Sequence, residues 1–266
     1  MPEIETTPRR VKLGKLPRRQ DPRVLRLARY INLSQIPEPP QVIRNSRGIT
    51  EWGMLGNDDV GDCVIAGIAH GIQVADLSQV DPGIPAKPIP FDTGAVIDYY
   101  SRWCGYVRGQ EATDQGGVEL DVLTRFRNEG FMGHKIKAFV STDPTDLHML
   151  ALAHWLFGGV YNGLSMPEAW QDATVWDLGK GADFAPGSWG DHCTFSVDFD
   201  SRAKQVGLIT WGGIQPATFR GFSMFADEGY ALVFQDWRPP KGFDLDLLEH
   251  DLAWVERQPR PSSMAA

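Results

Sequence analysis

The segment Gly56-Asn57-Asp58-Asp59-Val60-Gly61-Asp62-Cys63 carries residue types suited to nucleophilic chemistry. A polar, glycine-containing loop delivers Cys63 to the start of an apolar stretch, and Val64, Ile65, Ile68, Ala69, Ile72, Val74 and Ala75 fall mostly on one broad helical face. First-turn N–H groups and the helix dipole favour a thiolate there, so the position predicts a lowered Cys63 pKa and a nucleophile. Free cysteine is also among the most readily buried residues, so the loop alone leaves a packing role open. A second segment, Gly187-Ser188-Trp189-Gly190-Asp191-His192-Cys193, places a histidine after a glycine-rich turn and at the head of a strand, 129 residues beyond Cys63. An imidazole there suits a base toward a thiol. Cys193 follows directly and alternates to the other face of that strand, which suits core packing. A third segment, Leu208-Ile209-Thr210-Trp211-Gly212-Gly213, reads as a strand ending in Trp-Gly.

The elements that must position these groups divide along the chain. Helices are predicted from Cys63 to about Leu77, from Thr93 to Trp103, from Glu119 to Glu129 with Gly130 past its end, and from Asp146 to Phe157. After about residue 157 the chain turns to short β-branched and aromatic runs bounded by Gly, Asp or Lys. Strands are predicted over 159–164, 194–199, 205–211 and 229–234. Helices first and strands second imply an α+β arrangement with two lobes. Ahead of them, residues 1–20 read as an extended arm broken by Pro2, Pro8 and Pro17. Asp21-Pro22-Arg23 then opens a short amphipathic helix through Ile31, and Pro37-Glu38-Pro39-Pro40 marks a linker. A short acidic helix over Leu245 to Val255 closes the chain, before a Pro/Arg/Ser stretch.

Composition narrows the class. The 266 residues carry a net charge of −8 and 42% hydrophobic residues, ordinary for a globular protein and against a general nucleic-acid binder. No apolar run reaches membrane-span length and no secretory signal is visible, which predicts a cytoplasmic or virion-associated protein. Three cysteines, Cys63, Cys104 and Cys193, make a poor disulfide framework. The charge is lopsided. Residues 1–30 carry +6, leaving −14 on the rest. A basic arm on an acidic body is a docking arrangement, onto its own body, an acidic partner or a neighbouring subunit. His70, His134, His148, His154 and His250 lack metal-ligand spacing and read as surface or packing histidines, so neither metal nor cofactor is expected.

Taken in order, these segments resemble the papain-like cysteine peptidases. The family's oxyanion glutamine, six residues before the nucleophile, and its Gly-Ser-Cys helix entrance resemble Asn57 through Cys63. Its Cys-Asn-Gly-Gly segment resembles Asp114-Gln115-Gly116-Gly117, its Pro-Val strand Phe157 through Tyr161, and its histidine strand Asp191-His192-Cys193. Its Asn-Ser-Trp-Gly motif resembles Ile209-Thr210-Trp211-Gly212, and its closing Gly-Tyr strand resembles Gly229-Tyr230-Ala231. The spacing of Cys63 and His192 also lies close to the roughly 130–150 residues of papain-type enzymes. The resemblance covers about residues 40–235. It implies a papain-like two-lobed α+β fold over 39–237, with a helical lobe over about 39–145 and an antiparallel, barrel-like β lobe over about 146–237. Residues 1–38 then form a propeptide-like or assembly arm and 238–266 a C-terminal extension.

The same resemblance implies a peptidase or amidase. Cys63 is the expected nucleophile and His192 the base, then acid. Asn57 and the Cys63 N–H are the expected oxyanion hole. Trp189, Trp211, Gly116 and Gly117 are expected to wall the cleft. Two departures bear on catalysis. Asn57 is one methylene shorter than the family's glutamine, and Ile209 stands where the family has the asparagine that orients the histidine; Thr210, Gln215 and Asp191 are the candidates to replace it. Val60 stands where a framework cysteine would be, which fits a non-secreted protein. The rival reading keeps the fold as a binding or structural module with little turnover, as in uncharacterised bacterial and phage proteins where a virion or assembly role is conceivable.

Overall fold

A computed structural model of the chain describes residues 11–258; the first ten residues of the arm and the Pro/Arg/Ser tail lie outside the described residues. The architecture is α+β, with the three N-terminal α-helices ahead of an antiparallel sheet built mainly from the second half, where further helices alternate with the strands. Strands β1 (Val42–Arg44), β2 (Ile136–Ser141), β3 (Val160–Met166), β4 (Gly190–Asp200), β5 (Gln205–Thr210), β6 (Gly213–Thr218) and β7 (Ala226–Phe234) form one sheet. The order is β2-β7-β3-β4-β5-β6, every pairing is antiparallel, and β1 pairs with the far end of β4.

Helix α1 (Cys63–Ser78) is the central element. It is apolar on nearly every side, as a helix enclosed by its neighbours must be. It packs on the β4 face that presents Cys193, Phe195 and Val197, together with Tyr161 of β3. The approach is close because two helix positions lack a side chain. A Cβ on Gly67 would meet the Tyr161 ring at 2.9 Å and Cys193 Sγ at 3.0 Å, and one on Gly71 would meet Leu232 and Phe195 at 3.0 Å. Tyr161 donates its hydroxyl to the Val64 carbonyl at 2.7 Å, tying the first turn of α1 to the sheet. Helices α2 (Thr93–Cys104) and α3 (Glu119–Glu129) complete that side. A second core fills the opposite face of the sheet, under α4 (Leu147–Phe157), α5 (Phe219–Phe225) and α6 (Leu245–Glu256). Asp92, Asp146, Thr218 and Asp244 cap α2, α4, α5 and α6 through their side chains. Among the described residues no helix is long and apolar enough to cross a membrane.

The five longer helices begin and end within about a residue or two of their predicted limits. Two expectations differ. The amphipathic helix over 21–31 is absent, and only Leu27–Arg29 forms a 3-10 turn. The backbone there is committed to tertiary pairing: Ser141 N donates to the Leu25 carbonyl at 2.8 Å and Arg26 bridges to Ser141. Strands β1 and β2 fall inside the segment expected to be a helical lobe, and β2 forms one edge of the sheet. The C-terminal extension also meets the arm. Tyr30 and Arg29 both donate to Asp251, at 3.0 and 2.6 Å, and Phe243 lies beside the Tyr30 ring.

Candidate active site

Cys63 is the first residue of α1, as its sequence position predicts, and it is 1% exposed. Its sulfur accepts the backbone N–H of Cys193 at 3.3 Å, with the Gly14 N–H as a further donor. The pKa runs opposite to expectation. Burial pushes the thiol well above its ordinary range, and the nearby Asp62 and Glu119 carboxylates push the same way. Burial outweighs the helix terminus, and the N-cap Asp62 is itself fully buried, its carboxyl raised first by burial and then through Asp114 and Asp58. Cys63 is therefore a neutral thiol in this state of the protein.

Strand alternation decides what surrounds His192. Phe195 of β4 stands opposite Ile209 of β5, and both belong to the core under α1. Residues of the other parity, His192 and Thr210, therefore share the opposite face as diagonal neighbours. Thr210 Oγ1 lies 2.7 Å from His192 Nε2. Ile209, expected from the resemblance to stand at the orienting position, points away into the core. Trp211 stacks on the imidazole at 4.5 Å between centroids and an interplanar angle of 20°, held there by a left-handed backbone (φ 46°). Trp189 packs against Trp211 at 5.5 Å. His192 Nδ1 is buried with no hydrogen-bond partner. Burial, with His70 a lesser contributor, lowers the His192 pKa to about 3, so the ring is neutral. Of the other orienting candidates, Gln215 donates to the carbonyls of Ala173, Thr174 and Pro216, and Asp191 offers its main-chain carbonyl to the arm.

Asn57 is buried and its amide donates to the Val60 carbonyl at 3.2 Å, an intraloop bond. Asp114 accepts both the Gly61 N–H at 2.9 Å and the Tyr100 hydroxyl at 2.7 Å, and that hydroxyl accepts the Gly116 N–H at 2.8 Å. These bonds couple the loop before Cys63 to the loop bearing Gly116 and Gly117.

Between those two loops runs the N-terminal arm. Gly117 N donates to the Gly14 carbonyl and Leu16 N to the Gly117 carbonyl, both at 2.8 Å; Lys15 N donates to Asp191 O at 3.2 Å. Lys12 N reaches the Asn57 carbonyl at 2.9 Å, and Trp211 Nε1 reaches the Lys12 carbonyl at 3.1 Å. Gly14 occupies a slot one backbone wide: a Cβ there would collide with the Gly61 carbonyl, and one on Gly116 would collide with the Gly14 carbonyl. Every surface expected to wall a cleft around Cys63 and His192 is thus in contact with residues 12–16 or one residue removed from them. The summed charge of the arm left its own body, an acidic partner and a neighbouring subunit open as docking targets; the described part of the arm lies on the body, through Lys15 to Asp227 and Glu228 and through Arg19 to Asp121. Which arm residue enters the site was not legible in the sequence.

No protein-family model matches the sequence, and no curated protein matches it. Solved structures do match. Xylellain, a cysteine protease from Xylella fastidiosa, superposes with a TM-score of 0.62 at 13% identity, over 86% of this chain and 98% of its own. Digestive procathepsin L 3 of the Tenebrio molitor larval midgut gives 0.55 at 13% identity, over 85% of this chain and 76% of that one. The proform of the ragweed pollen allergen Amb a 11, a cysteine protease, gives 0.52 at 12% identity, over 76% and 68%. Identities this low establish the fold: the chain is built on the papain-like fold of cysteine proteases.

Proposed function

We propose that this protein is a cysteine hydrolase of peptide or amide bonds, held latent by its own N-terminal arm. The observation that carries the reading is the convergence of α1 and β4. It sets the Cys63 sulfur 3.3 Å from the N–H of the residue after His192, while the far nitrogen of that imidazole is held by Thr210.

Arm departure admits water, which relieves the desolvation that now raises the thiol and lowers the imidazole. His192 Nδ1, at present without a partner and not hydrogen-bonded to the Cys63 sulfur, takes the thiol proton once arm departure lets the imidazole approach the first turn of α1. The thiolate attacks the substrate carbonyl, and the oxyanion forms toward the Cys63 N–H, a first-turn donor with no intrahelical acceptor. Asn57 contributes a second donor once its amide leaves the Val60 carbonyl. The imidazolium protonates the departing amine, leaving an acyl-enzyme. Water then attacks the thioester as His192 takes its proton, releasing the carboxylic acid and returning the thiol.

The same arm supports a second reading, a binding or assembly module with its cleft permanently filled. The variant Gly14→Ala in the full chain separates the two, since its methyl group cannot enter the slot beside Gly61. With the arm displaced, iodoacetamide should label Cys63 at least tenfold faster than in the parent and faster than Cys104, whose thiol burial pushes up to about 12. The variant should also hydrolyse peptide-amide reporters, and Cys63→Ser should abolish this. Rapid labelling without hydrolysis of any reporter would favour the module.

A further inference from the structure

The arm holds the cleft by its main chain, yet one of its side chains leaves that path and enters the body of the protein. Lys15 is 5% exposed, and its ammonium is fully enclosed. Nζ lies 2.8 Å from Asp227 Oδ2 and 3.3 Å from Glu228 Oε1, with Glu119 as a third carboxylate acting on it. Glu119 is fully buried at the start of α3, and Glu228 is 2% exposed on β7. Tyr230 fixes Glu228 by donating its hydroxyl to Oε2 at 2.8 Å. The aliphatic stem of Lys15 lies over Gly163 of β3, where any Cβ would collide with its Cε. The floor is thus cleared for a long unbranched side chain, and the end is lined with carboxylates.

Such a pocket is expensive without a cation. Glu119 and Glu228 are both raised by burial and by the surrounding carboxylates, and the Lys15 charge lowers both. Nothing in the packing of α3 against the sheet needs two buried carboxylates facing each other, and burying like charges with no cation would destabilise the fold. The backbone on either side of Lys15 is hydrogen-bonded to Gly117 and Asp191, the loops flanking Cys63 and His192. The pocket therefore opens into the same cleft that the proposed hydrolase would use.

We propose that Glu119, Asp227, Glu228 and Gly163 form a lysine-recognition pocket of the substrate cleft, which Lys15 of the arm occupies in the latent state and a lysine side chain of a peptide substrate occupies after the arm leaves. This rests on the hydrolase reading for the word substrate, and on geometry alone for the pocket.

The test uses full-length protein. Lys15→Ala removes the atoms from Cγ to Nζ, which n-propylammonium replaces. The amine should raise the thermal midpoint of Lys15→Ala saturably by several degrees and leave the parent unmoved; n-propanol and sodium chloride at equal concentration should do neither. No shift, or an equal shift with propanol, overturns the pocket. Should Lys15→Ala not fold, Lys15→Met refills the stem and leaves the carboxylates without a cation. Its stability relative to the parent should then rise as pH falls from 8 to 5, because the folded form binds the extra protons. A flat difference overturns the pocket. The substrate clause is read in full-length Gly14→Ala with matched reporters bearing lysine or norleucine. Lysine should be preferred at least tenfold, and Glu228→Gln should bring the ratio toward one. Equal rates overturn the pocket and leave the hydrolase standing. No hydrolysis of either, with n-propylammonium still stabilising Lys15→Ala, supports the pocket and removes the hydrolase.

Discussion

Thr210 Oγ1 lies 2.7 Å from Nε2 of His192, one residue beyond the buried Ile209. The tautomer that leaves Nδ1 free as a base carries its proton on Nε2, which then donates to the hydroxyl. A threonine hydroxyl is neutral, as an asparagine amide is, so under the proposed hydrolase reading it would position the ring without adding charge.

Loss of that hydroxyl should act on turnover. In the Gly14→Ala background, Thr210→Ala should lower kcat/KM about tenfold, the equivalent of one buried hydrogen bond of about 1–1.5 kcal/mol. Thr210→Ser should restore most of the rate, because it keeps the oxygen in place. Equal rates for the alanine and serine variants would show that the hydroxyl does not orient His192.

The contact between α1 and the sheet sets where Cys63 meets β4, and Gly67 sets that contact. Gly67→Ala forces a methyl against the Tyr161 ring and Cys193 Sγ. Overpacking of this kind costs about 1–3 kcal/mol. Urea denaturation should report that loss, although alanine favours helix over glycine. A variant more stable than the parent would mean the helix relaxes freely.

Buried neutral histidines make the fold acid-sensitive. His154 sits in the core under α4, with Nδ1 2.8 Å from the Leu150 carbonyl, and burial lowers its pKa to about 4. The unfolded chain binds this proton near pH 6.5 and the folded chain does not, so the stability it contributes is present above pH 6.5 and is lost as pH falls toward 4. Between pH 7 and 4 the parent should lose about 3 kcal/mol more than His154→Leu. The comparison isolates His154 from His70 and His192, which add losses of the same sign, and from Asp62 and Glu119, whose raised carboxyls oppose them. Parallel pH profiles for the two proteins would refute the assignment.

Much of the fold was legible because it is local. The apolar periodicity after Cys63 and the glycine at 130 past the end of α3 act within a few residues, although the cap of α4 is Asp146 and not Asp143 or Thr145. Strand β2 was missed although Gly130, Gly133 and Asp143-Pro144 bound it, because the consecutive buried run Ala138-Phe139-Val140 breaks the period-2 alternation of a strand. The helix over 21–31 was over-read because Asp21-Pro22 is a good start, but sheet pairing took its backbone donors and acceptors.

Residue order and type alone determined that Cys63 would head an apolar helix and that His192 would head a strand, since capping loops and alternation are properties of neighbouring residues. Tertiary structure decided the rest. Register between β4 and β5 turned Ile209 into the core and brought Thr210 to the imidazole. Burial beneath the arm reversed the predicted acidity of Cys63, because desolvation of a thiolate outweighs a helix terminus whose cap is itself a buried carboxyl. The net +6 of the first thirty residues indicated a docking arm without saying on what it docks. Only the fold showed that one lysine of that arm enters a carboxylate pocket near Cys63, because the three acids come from α3 and β7, far apart in the chain.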